Sequence, residues 1–76
     1  MKFSEWKRKA MLMLMRLASN ASSEKERSDL TQLMDMLHTL RYRDLPSFLR
    51  YLWAYCQYHK RYDVCRELVR EDIVSD

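Results

Sequence analysis

Residues 44–73, DLPSFLRYLWAYCQYHKRYDVCRELVREDI, decide the fold. They hold the only proline, both cysteines, one of the two tryptophans and four of the five tyrosines. Wound as a helix at about 100° per residue, the stretch puts Leu45, Phe48, Leu49, Leu52, Cys56 and His59 on one face. Tyr51, Tyr55, Tyr58 and Tyr62 follow at spacings of four, three and four along one edge of that face. Past residue 60, the apolar Val64, Cys65 and Leu68 fall on roughly the opposite side of a continuous helix. A helix that swaps its buried face by half a turn breaks there. The pattern therefore predicts helices over 45–59 and 62–74, with a turn near His59–Arg61.

Upstream, Asp44 is placed to cap the first of these helices, and Pro46 sits in its first turn, where a missing amide costs nothing. Ser23-Glu24-Lys25-Glu26 is a capping-box pattern: the serine hydroxyl takes the Glu26 amide and the Glu26 carboxylate reaches back. It predicts a helix over 23–41, with Leu30, Leu33, Met34, Leu37 and Leu40 buried and Lys25, Gln32, Asp35 and Thr39 facing out. Arg41 and Arg43 supply positive charge where its dipole favours it. Phe3, Trp6, Ala10, Met13 and Leu17, at alternating spacings of three and four, predict a helix over 4–19. Ser4 is its expected N-cap, with Glu5 in the first turn. The short connector Asn20–Ser23 argues for an antiparallel pair. The expected architecture is all-α and one domain over 1–76. It is a small bundle of three to four short helices, with a C-terminal helical hairpin packed on an N-terminal antiparallel pair.

Composition points the same way. The chain has 76 residues and no glycine, which disfavours hairpin turns, dinucleotide-binding turns and phosphate-cradling loops. Its net charge of +3 is unevenly spread. Residues 1–16 and 38–62 each carry five basic residues against one acidic, while 63–76 carry two against five. Such alternation reads as complementary packing or solvated faces ahead of a polyanion-binding surface. Two cysteines make no disulfide framework, so the expectation is free thiols in a reducing, cytoplasmic compartment, or the host cytoplasm or nucleus for a viral chain. Lys7, Arg8 and Lys9 before the apolar run 10–15 faintly mimic a secretory signal, but the run is short and Arg16 cuts it.

The segment AYCQYHKRYDVCRELV resembles one tetratricopeptide-like unit over about thirty residues. It lacks the glycine and small-residue positions that mark that family, and one unit cannot bury its own face. The likeness is that of any helical hairpin, and it assigns no family.

Candidate chemistry is sparse. Cys56, His59 and Cys65, with His38 as a conceivable fourth, have donor atoms suited to zinc, but a C-x₂-H followed by one further cysteine is not a recognised ligand pattern. No metal and no cofactor is expected. A catalytic thiol needs a cleft, an oxyanion hole and an orienting third group, and a short glycine-free helical chain offers few ways to build them. No catalytic residue is assigned, and the chain is read as not an enzyme. Tyr51, Tyr55, Tyr58 and Tyr62, flanked by Trp53, form the best candidate protein-binding surface, because tyrosine brings large contact area with few rotamers. The run 10–15 is apolar all round, and Met11 and Met15 suit an adaptable contact with a second copy, so a homodimer is expected. The expected function is a small helical interaction module. It acts as a regulator or inhibitor by binding a partner protein, as compact chains carried by phages and viruses often do. The alternative is a basic nucleic-acid-binding regulator using Lys7, Arg8, Lys9, Arg41, Arg43, Arg50, Lys60 and Arg61.

Overall fold

A computed structural model describes residues 1–69 and 72–76. These residues form four α-helices: α1 (Phe3–Ser19), α2 (Glu24–His38), α3 (Leu45–His59) and α4 (Tyr62–Val69). A short 3₁₀ turn, Tyr42–Asp44, leads into α3. Packing runs in a ring, α1 on α2, α2 on α3, α3 on α4 and α4 back on α1. The fold is the expected all-α bundle, with the C-terminal hairpin set on the N-terminal pair.

The core fills the centre of that ring. Trp6, Ala10 and Leu14 come from α1, and Leu30, Leu33 and Leu37 from α2. Leu45, Phe48, Leu52, Tyr55 and Cys56 come from α3, and Val64, Cys65 and Leu68 from α4. Trp6 is the keystone. Its ring meets Phe48 edge-on at 5.9 Å between centroids, and its indole N–H donates to the Leu68 carbonyl at 3.1 Å. A buried indole without that acceptor would leave a costly unpaired donor. In α1, Met13 and Leu17 are only partly buried, and Leu14 is the fully enclosed residue of that turn.

The predicted break between α3 and α4 is present, and its geometry explains it. Lys60 adopts a left-handed conformation, φ 58° and ψ 41°, which normally falls to glycine. In a chain without glycine, the Arg61 amide donates back to the Cys56 carbonyl at 2.9 Å and closes the helix end. The turn also aims the Arg61 side chain at α2.

Several local expectations are corrected. α2 stops at His38 rather than 41, because the chain must reverse toward α3. The carbonyls at and just past its end are met from across the fold: the Lys7 ammonium donates to those of His38 (3.4 Å) and Leu40 (3.0 Å). Asp44 makes no side-chain cap on α3, although Pro46 does lie in the first turn. The capping box is half formed. Ser23 accepts from the Glu26 amide at 3.1 Å, but the Glu26 carboxylate takes the Ser22 amide and hydroxyl. α4 is described only to Val69, and the part of its predicted span at 70–71 lies outside the described residues. Residues 72–74 are not helical: Val74 bridges Lys2 in parallel, giving its carbonyl to the Phe3 amide at 2.8 Å. Ser4 is accordingly no N-cap. Its amide and hydroxyl both donate to the Asp76 carboxylate, which is held below the usual carboxylate range by those bonds.

The cysteines carry the largest correction. Cys56 and Cys65 are joined in a disulfide across the α3–α4 hairpin, with Cα atoms 6.2 Å apart, and no free thiol remains. Both lie on the buried faces that the helical spacing predicts. The hairpin turn brings the two faces together at bonding distance, which residue counting alone does not register.

Candidate functional site: two grooves flanking α3

Helix α3 separates two surface grooves. The groove on its α2 side has a volume of about 270 Å³ and is lined by Lys25, Asp29, Gln32, Leu33 and Met36 of α2 and by Tyr51, Ala54, Tyr55 and Tyr58 of α3. The groove on its α4 side, about 260 Å³, is lined by Trp53, Tyr62, Cys65, Arg66 and Val69. The predicted tyrosine stripe is thus divided. Tyr51, Tyr55 and Tyr58 serve the first groove, and Tyr62 joins Trp53 in the second.

The tyrosines also differ in depth. Tyr51 and Tyr58 are 60% and 69% exposed, whereas Tyr55 is only 4% exposed. Tyr55 therefore does not share the accessible surface expected of the whole stripe. Instead its hydroxyl donates to Glu26 Oε2 at 2.8 Å inside the bundle. Burial, and then the neighbouring carboxylate, push the Tyr55 phenol well above its ordinary range. Glu26 is the one buried charge among the described residues. Arg61 grips it with two donors, Nε at 2.7 Å and Nη2 at 3.0 Å. That guanidinium, with help from Tyr55 and Ser22, holds the Glu26 carboxyl far below the usual carboxylate range despite its burial. No sequence signal for binding had singled out Glu26. Its spacing from Leu30, Leu33 and Leu37 places it on the buried stripe of α2, which was the available clue.

A second polar cluster closes one end of the α2-side groove. Asp29 bonds His59 Nε2 at 2.8 Å and accepts from Lys25 at 2.9 Å, and its carboxyl is held low chiefly by His59 and then by Lys25. The His59 ring lies between those of Tyr55 (4.9 Å) and Tyr58 (4.8 Å). The Lys25 ammonium stands 5.6 Å over the Tyr58 ring, so Tyr58 is held in place while its outer edge stays wet. The groove is therefore rigid at one end and aromatic along its α3 wall. Leu33, Met36 and Ala54 give it an apolar lining.

The remaining candidates divide by what holds them. On α1, Leu12 and Met15 are 57% and 51% exposed and Met11 is partly buried. Among the basic residues, Lys7 is engaged with backbone carbonyls, Lys9 pairs with Glu67 at 3.3 Å and Arg61 is committed to Glu26. Arg8, Arg41, Arg43, Arg50 and Lys60 are exposed. They are spread over α1, the α2–α3 connection, the middle of α3 and the hairpin turn. His38 is exposed on the far end of α2, and no group of three metal-ligating side chains gathers among the described residues. No helix among the described residues is long and apolar enough to cross a membrane. No protein-family model, curated protein or solved structure matches this chain.

Proposed function

We propose that this protein is a non-enzymatic helical interaction module that regulates or inhibits a partner protein by binding it. The observation that carries the reading is the exposure of Tyr51 and Tyr58 in a groove with an apolar lining on two packed helices. Neither ring is needed to fill the core. Aromatic rings held on rigid elements lose little freedom when covered, which is why such residues recur at interface hot spots. Immobilised protein should retain one partner from its source extract at both low and moderate salt, since an aromatic contact responds weakly to screening. Loss of that partner at moderate salt would count against the tyrosine groove.

Self-association through Met11, Leu12 and Met15 of α1 belongs to the same reading. Light scattering at micromolar concentration should give twice the chain mass, and Met15→Lys should give a folded monomer. The Cys56–Cys65 disulfide favours an oxidising compartment over the reducing cytoplasm expected from the cysteine count. Nucleic-acid binding is the second reading, supported by the exposure of Arg8, Arg41, Arg43, Arg50 and Lys60. It requires oligonucleotide affinity that falls steeply with added salt.

A further inference from the structure

The groove between α3 and α4 differs from the tyrosine groove in its charge. Its walls are the rings of Trp53 and Tyr62, both half exposed, and its base is Cys65 of the disulfide together with Val69. Among the described residues, Arg66 is the one charged residue that lines it. Spacing explains the selection. Tyr62, Arg66 and Val69, four and three apart, share the side of α4 that faces the groove. Asp63 and Glu67 fall on other sides, and Glu67 is turned to Lys9 of α1. Helix α3 contributes no carboxylate at all, its charge being Arg50 one turn before Trp53.

From this arrangement we infer that the α3–α4 groove is a second docking site, whose occupant is an acidic segment of another protein that inserts one apolar side chain. The apolar residue enters between Trp53 and Tyr62, and an adjacent carboxylate accepts from the Arg66 guanidinium. A volume of about 260 Å³ accommodates one leucine- or phenylalanine-sized side chain, while the rest of the segment lies across the open face of the groove. Arginine matches a carboxylate with two parallel donors, and desolvation by the flanking rings strengthens that contact. The same rings and arginine are the elements of a single-stranded nucleic-acid site. Here, however, Arg66 is the single cation among the described residues that line the groove, which makes no track for successive phosphates. Charge complementarity therefore selects a local acidic peptide over a polyanion.

The site provides its own probe, because Trp53 is half exposed while Trp6, the other tryptophan, is fully buried. The full-length oxidised chain is titrated with a short alanine-based peptide carrying one phenylalanine between two glutamates. A second peptide carries glutamines instead, and an oligothymidylate serves as the nucleic-acid probe. The acidic peptide should shift the tryptophan emission to the blue and saturate, and the glutamine peptide should bind about tenfold more weakly. Arg66→Gln, an exposed position whose variant is checked by thermal melting, should erase that difference. Trp53→Phe should abolish the signal, and Tyr58→Ala, on the other flank of α3, should leave it unchanged. Equal affinity for the two peptides would overturn the inference, as would no emission change up to millimolar peptide. So would tighter binding of the oligothymidylate, or loss of the signal in Tyr58→Ala. None of these results bears on partner capture through the tyrosine groove, which is read separately.

Discussion

Helix α3 is clamped at its C-terminal end from both sides, and the two clamps differ in kind. Toward α4 the clamp is covalent and local, a disulfide between residues nine apart in sequence. Toward α2 it is ionic and long-range: Glu26, buried to 1% exposure, is held by Arg61 from 35 residues away and by the Tyr55 hydroxyl. The disulfide ties α4 to its neighbour within one hairpin. The Glu26 cluster ties the two halves of the bundle together. Breaking the first should loosen a short helix, whereas breaking the second strands a guanidinium and a phenol at the seam between the halves.

The largest effect is accordingly expected at Glu26. Glu26→Ala should cost about 3 kcal/mol, the low end for removing one partner of a buried ion pair, because Arg61 keeps some contact with water. For a domain of this size that lowers the melting temperature by more than about 10 °C, measured by circular dichroism. Reduction of the disulfide by excess dithiol should cost somewhat less, about 2.5 kcal/mol, from the loop entropy returned to the unfolded chain. The comparison breaks if reduction proves the more damaging of the two.

Acid distinguishes the clamps further. The Glu26 carboxyl is held far below its ordinary value of 4.5 in the folded chain. A depressed folded value means that its contribution is complete above the unfolded value and is lost as pH falls from there toward the folded one. The melting temperature should therefore drop progressively below about pH 4.5. Glu26→Gln, less stable at neutral pH, should show a shallower drop, while the disulfide contributes nothing to the slope. A parallel pH profile for Glu26→Gln would remove Glu26 from this account.

Much of this fold is legible in the sequence. The half-turn jump of the apolar face between Cys56 and Val64 places the α3–α4 break, and the structure shows Lys60 making it. The depth of Tyr55 was legible too. On a helical wheel it lies about 60° from Leu52, whereas Tyr51 and Tyr58 lie about 100° and 120° away and stay exposed. Grouping the tyrosines as one stripe hid that difference. Other features are set by chain reversals that periodicity does not encode. The Cys56–Cys65 bond needs the hairpin to close. Lys7 can meet the α2 carbonyls only once α1 has packed, and the pairing of Val74 with the first residues of the chain competes with an apolar pattern that continues through Ile73. The two grooves on either side of α3 likewise emerge from packing, since each is built from residues of two helices.

Tyr51 and Tyr58 carry the smallest expected effect on stability and the largest on function. Their double alanine variant should melt within about 1 kcal/mol of the parent, because neither ring is enclosed. The most direct test of the interaction-module reading sets that variant's melting curve beside its partner retention. The account predicts near-parental melting with partner retention lost, equivalent to about 2 kcal/mol or more of binding. Near-parental melting with partner retention unchanged would contradict it.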